Sequence, residues 1–207
     1  MKKNILKILL FLVLGNVGFG DAAQILGDYY SIDNGKVYYR NEILEGANPK
    51  TAELIGFSLL KDDKNVYYMG EKIKDVKIKN FEKIGKNYWK NDNKIYYRNK
   101  KIENADIMSF KVLNEDFAKD KNNVYYIENK MINCFDTYYS IYEVKGINKD
   151  KVEVVNDWFI KDDKNIYFKG KILEGVDYNT FEVLPNGEGK DKNRSYEYLT
   201  KDEWKWF

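Results

Sequence analysis

The chain has 207 residues, 43% of them apolar and 16% aromatic, enough to build a core, which excludes wholesale disorder. Its formal charge of +2, with lysines and acids interspersed, argues against nucleic acid as a partner, because phosphate binding calls for a basic excess on one face. It holds no histidine, the commonest general base and metal ligand, and a single cysteine, which excludes an intramolecular disulfide.

Residues 1–20 differ in kind from the rest of the chain. Lys2, Lys3 and Lys7 precede the apolar run Ile8 to Leu14, and the small residues Gly18 and Gly20 come after it. That order is the one expected of a secretory signal peptide, and the run is too short for the roughly 20 residues of a spanning helix. The expectation is an exported chain, periplasmic or at the cell surface, cleaved after Gly20 and with no membrane span in the mature part. No cysteine lies near that junction to carry a lipid. Residues 21–207 then form a single β-repeat domain.

From Asp33 onward one phrase recurs. It reads Asp33-Asn34-Gly35-Lys36-Val37-Tyr38-Tyr39, then Asp62-Asp63-Lys64-Asn65-Val66-Tyr67-Tyr68, then Asn91-Asp92-Asn93-Lys94-Ile95-Tyr96-Tyr97. It returns as Asp120 to Tyr126 and Asp162 to Phe168, and closes in a weaker copy, Asp191 to Tyr196. The first aromatic of each copy stands at 38, 67, 96, 125, 167 and 196, so the period is 29 except for one step of 42. A fixed period of this size is the mark of a repeat array.

The residues flanking that first aromatic are β-branched before it (Val37, Val66, Ile95, Val124, Ile166) and aromatic after it (Tyr39, Tyr68, Tyr97, Tyr126, Phe168). Two residues apart in an extended chain, they share a face, so each phrase predicts a strand with that face inward. The reference tyrosine then points the other way, toward solvent or a neighbouring repeat. Apolar residues recur six positions on (Leu44, Ile73, Ile102, Met131, Leu173) and nine on (Ala47, Val76, Ala105, Cys134, Val176). Turn formers stand on both sides of the strand, the Asp-Lys-Asn run before it and Asn41, Gly70, Asn99, Asn129 and Gly170 after it. Each unit therefore reads as a three-stranded meander, with segments such as Asn48 to Ala52 and Asp106 to Phe110 as connectors. About six such units predict an all-β open, solenoid-like array; the alternative, a closed propeller-like ring, is disfavoured because 29 residues is short for the roughly 40 to 45 of a blade. Ser195 and Glu197, where other copies are apolar, suit a polar terminal cap.

The repeated Asp-Lys-Asn-x-Tyr-Tyr phrase resembles the DKNYY family of bacterial repeat proteins, which is named for it. The resemblance spans roughly residues 28 to 200 and implies an exported or envelope-associated protein of uncharacterised function, with no catalytic residues to carry over. The extra residues and the degraded last copy depart from the pattern.

Few residues stand out as carriers of chemistry. The Asp and Asn before each tyrosine have the oxygen donors that calcium needs, but Asp62 and Asp63 are adjacent where a calcium loop alternates, so turn chemistry is the better account. No acidic pair stands out among repeated units, and no nucleophile motif or phosphate-binding glycine loop is present, so the chain is read as not an enzyme, with no cofactor. Cys134 falls in a column of small apolar residues and reads as one of them. The tyrosine column Tyr38, Tyr67, Tyr96, Tyr125 and Tyr167 offers rings and hydroxyls that suit sugars, although packing between repeats is favoured because large aromatics dominate cores. The insertion, placed at about 135–151, carries Phe135, Tyr138, Tyr139 and Tyr142 and is the one region that repetition does not explain. Insertions in arrays form loops on one face, often the binding face, so these residues are the candidate contact with an envelope protein or glycan.

Overall fold

A computed structural model of the chain describes residues 23–76, 78–131 and 137–196. The expected signal peptide, Cys134 and Phe135 lie outside the described residues. The described chain is all-β, with six antiparallel sheets in tandem that do not close into a ring. The first sheet contains β1 (Gln24–Gly27), β2 (Tyr30–Asp33), β3 (Lys36–Tyr39) and β4 (Glu42–Ile43). The second contains β5 (Glu53–Gly56), β6 (Leu59–Lys61), β7 (Val66–Tyr68) and β8 (Glu71–Lys72). The third contains β9 (Phe81–Lys83), β10 (Tyr88–Asn91), β11 (Lys94–Tyr97) and β12 (Lys100–Lys101). The fourth contains β13 (Lys111–Val112), β14 (Phe117–Lys119), β15 (Val124–Met131) and β16 (Thr137–Glu143). The fifth contains β17 (Glu153–Val154), β18 (Phe159–Lys161), β19 (Ile166–Phe168) and β20 (Lys171–Ile172). The sixth has β21 (Glu182–Val183), β22 (Gly189–Lys190) and β23 (Ser195–Tyr196) among the described residues.

Each full unit thus has four strands where the sequence suggested three. The added strand is the first of each unit, β1, β5, β9, β13 or β17, which pairs antiparallel with the second. The short last strand comes after a sharp reversal in which Arg40, Met69, Arg98 and Lys169 take positive φ. The apolar residue six positions past the reference tyrosine locks that reversal, its amide bonding back to the strand before it: Leu44 to Val37, Ile73 to Val66, Ile102 to Ile95 and Leu173 to Ile166, each at 2.8 Å.

The same hydrogen bond locates the insertion. In the fourth unit the amide of Val144, not Met131, bonds to the Val124 carbonyl, at 2.8 Å, and Val144 is buried as Leu44, Ile102 and Leu173 are. The extra residues therefore lie inside the third hairpin, lengthening β15 and β16, and not after it at 135–151. Asn129 lies within β15 and not at a turn, β15 runs on to Met131, and Ile147 takes the column in which Cys134 was expected.

The reference strands are buried on both faces, so of the two directions open to the reference tyrosine it takes the favoured one, toward a neighbouring repeat. Val66, Tyr67 and Tyr68 are all buried, as are Val124, Tyr125 and Tyr126, because neighbouring sheets close over both sides. Each fully buried Val or Ile of this column contributes about 2 kcal/mol by removal of apolar surface from water. The clusters cross unit boundaries: Tyr30, Val37 and Leu44 pack with Leu60 and Tyr67 of the next unit, and Phe159, Ile166 and Leu173 pack with Tyr196. No unit completes its core alone, which is the physical basis of an array. Close approach is needed at Gly70 and Gly170, both at positive φ, where an added Cβ would sit 2.7 Å from the ring of Tyr39 and 2.9 Å from that of Tyr126 in the preceding unit. Side-chain amides bridge the units too, Asn114 to the Asn156 carbonyl and Asn156 to the Gly187 carbonyl, both at 3.3 Å.

Candidate binding site on the long hairpin

The phrase that defines the repeat is a carboxylate knot. In four units the aspartate that opens it is almost fully buried: Asp62, Asp120, Asp162 and Asp191. One oxygen of Asp120 accepts the amides of Asn122 and Asn123, both at 2.7 Å, which shapes the turn. The other accepts the Asp106 amide of the connector at 2.7 Å and the Tyr125 hydroxyl at 2.9 Å. Asp62, Asp162 and Asp191 repeat all four bonds, with connector amides from Asn48, Asn148 and Asp177 and hydroxyls from Tyr67, Tyr167 and Tyr196. One side chain thereby joins connector, turn and core strand. Both oxygens are taken up by N–H and O–H donors, so the aspartate serves the turn, as its sequence pattern suggested, and not as a cation ligand.

This donor set governs the electrostatics. Burial pushes the carboxyls of Asp120, Asp162 and Asp191 up, but the donors outweigh it and hold all three below the usual carboxylate range, Asp191 at about 2. Burial, with the adjacent carboxylate, raises the hydroxyls of Tyr67, Tyr125 and Tyr167 to about 12. Tyr96 is buried differently, stacked on Trp89 with centroids 4.0 Å apart and planes 5° apart, while Tyr38 at the array's first unit is half-buried. The tyrosine column is therefore internal, with Tyr67, Tyr96, Tyr125 and Tyr167 offering no open ring face.

The insertion's aromatics divide by strand alternation. On β16, Tyr139 and Ile141 face inward, and Tyr138, Ser140 and Tyr142 face out. Tyr139 is 3% exposed and anchors the hairpin on the third unit: its ring meets Tyr97 at 5.4 Å and Tyr68 at 6.4 Å, and its hydroxyl bonds the amide and side chain of Asn99. Tyr138 and Tyr142 are 52% and 49% exposed. The Tyr142 hydroxyl bonds Glu128 at 3.1 Å, and the Lys100 ammonium lies 4.4 Å from the Tyr138 ring centroid while donating to the Tyr139 carbonyl at 2.7 Å. Ser140, then Lys100, holds the Tyr138 hydroxyl below its ordinary value. A groove of about 390 Å³ runs between β16 and β12 of the preceding unit. The arrangement offers two exposed phenols on one strand face beside an ammonium group, suited to holding a partner.

Sequence reasoning missed two charged neighbours of this hairpin. Lys100 carried no periodic signal. Arg98 is buried beneath it, its guanidinium carbon 4.7, 5.3 and 5.5 Å from the rings of Phe57, Tyr97 and Tyr139. Those ring faces stabilise the cation, since Nε and Nη1 make no hydrogen bond among the described residues. Nearby, burial raises Asp116 to about 6, with Glu115 and Asp157 adding to the effect. The aspartate knot had a legible signal in hindsight: an Asn or Asp stands 14 residues before each of the four aspartates.

Searches of curated proteins and of solved structures each returned no match. A family model, that of the DKNYY family, matches residues 16–68 and 88–200, the greater part of the chain. With the phrase now explained as a buried carboxylate knot repeated along an open array, the chain belongs to the DKNYY family.

Proposed function

We propose that the chain is an exported, non-catalytic binding module of the cell envelope whose contact surface is the long hairpin of the fourth unit. The observation that carries this reading is the hairpin itself. It breaks the period, is anchored by the buried Tyr139, and presents Tyr138 and Tyr142 half-exposed on one face. Export rests on the composition of residues 1–20. A second reading, a structural or inhibitor protein that covers a protein partner, uses the same surface.

The test is affinity capture from a cell-envelope extract, comparing the mature chain with the double variant Tyr138→Ala/Tyr142→Ala. Retention lost in the variant supports the hairpin. Equal retention by both chains overturns it. Deleting the whole insertion is a poorer test, because it removes Tyr139 from the core of the second and third units.

A further inference from the structure

We infer that the outer edge of β16 receives an extended, acidic segment of a partner protein, which adds as a strand in the groove beside β12; this rests on the hairpin being the contact surface. The outer strands of the other four-stranded units, β4, β8, β12 and β20, are two residues long, a common way to keep sheet edges from pairing. β16 has seven residues and lies at the end of its sheet. Its backbone direction is set by two hydrogen bonds. The Val144 amide bonds toward β15, whereas the Tyr139 carbonyl points away and is met by Lys100. In an antiparallel pair the two orientations alternate, so Tyr138, Ser140 and Tyr142 bond to β15 while Tyr139, Ile141 and Glu143 direct N–H and C=O outward.

Lys100 occupies the Tyr139 carbonyl and blocks that end. Beyond it, Ile141 and Glu143 open onto the groove of about 390 Å³, with Tyr125 and Tyr142 on the same side and Lys100 and Lys101 opposite. Outward backbone donors and acceptors in a slot are met by another backbone, as in recognition by strand addition. Charge specifies the segment further. Lys101 is paired with Glu103 at 2.6 Å and Glu143 with Lys145 at 2.6 Å. Lys100 has rings and a carbonyl around it but no carboxylate within ion-pair distance among the described residues. An acidic side chain on the incoming strand completes it.

The experiment selects short random peptides displayed on phage against the full chain, then tracks hydrogen exchange with the selected peptides bound. Expected are acid-containing peptides that slow exchange at the Ile141 and Glu143 amides, with Ser140 and Tyr142 unchanged because β15 already holds them. Lys100→Glu, with Lys100→Gln as a milder variant, should weaken binding by about tenfold. A selection that yields no binder, or binders that leave the Ile141 and Glu143 amides exchanging freely, overturns strand addition. Should soluble peptidoglycan fragments or peptides bind in a Tyr138/Tyr142-dependent way without protecting those amides, the hairpin stands as the contact and the strand-addition inference fails alone. Binding indifferent to Tyr138, Tyr142 and β16 alike removes both.

Discussion

The second, fourth, fifth and sixth units turn between their second and third strands in one way, and the first and third in another, although the sequence phrase looks the same. All keep the same register, with Leu60 opposite Tyr67 and Trp89 opposite Tyr96. In the first and third, the loop takes left-handed backbone, Asn34 at φ 46° and Gly35 at 69°, and Asp92 at 52°. Such turns match the strand twist unaided. Elsewhere no turn residue takes positive φ, and the buried aspartate holds the turn by accepting two of its amides. A local sequence difference of one or two residues moves the stabilising energy from backbone conformation to a polar core.

That contrast breaks most sharply at the carboxylate. Asp162→Asn places an amide nitrogen against donors that need an acceptor, and should destabilise by about 3 kcal/mol in chemical denaturation. Asp92→Asn, at an exposed left-handed position that asparagine tolerates, should stay within about 0.5 kcal/mol. Equal effects at both sites would erase the distinction.

Glycines sharpen it next. Gly170→Ala meets both a φ of 74° and the Tyr126 ring, and should cost about 2 kcal/mol, against about 1 kcal/mol for Gly35→Ala, where φ is 69° but the space is open. Removing the hydroxyl in Tyr125→Phe strips a bond to a buried carboxylate and should cost about 1.5 kcal/mol, measurably more than Tyr96→Phe, whose ring is held by stacking on Trp89.

Acid separates the knots from Asp116. A carboxyl held low in the fold, as Asp191 is at about 2, contributes stability that is present above the ordinary aspartate value and lost as pH falls toward 2. Asp116, raised to about 6, acts in the opposite sense: its contribution is greatest below its unfolded value and is lost as pH rises through 6. Asp116→Asn should therefore raise the melting temperature modestly at neutral pH and leave it unchanged near pH 4, whereas Asp191→Asn should flatten the acid limb. Smallest of all, Tyr138→Ala/Tyr142→Ala should change stability by no more than about 0.5 kcal/mol, because both rings are half-exposed.

The candidate site was legible only in outline. A broken period pointed to the stretch that forms the long hairpin, but put the buried anchor Tyr139 in the same class as the exposed Tyr138 and Tyr142, and placed the inserted residues too late. Met131 and Val144 are equally apolar and stand 13 residues apart, and spacing alone does not say which one folds back on Val124. The hydrogen bond from Val144 settles it.

By itself the sequence determined the repeat, its strand class and its open order, because period and alternation are local properties of the chain. Which faces are buried was decided by tertiary structure. Alternation put Tyr67, Tyr125 and Tyr167 on the face opposite the core residues and left open whether it met solvent or a neighbouring repeat; stacking of sheet on sheet closes that face, and an aspartate five residues earlier meets each hydroxyl there. The groove between β16 and β12, and the place of Lys100 beside Tyr138 and Tyr139, likewise exist only between units, where the residues that make them are far apart in sequence.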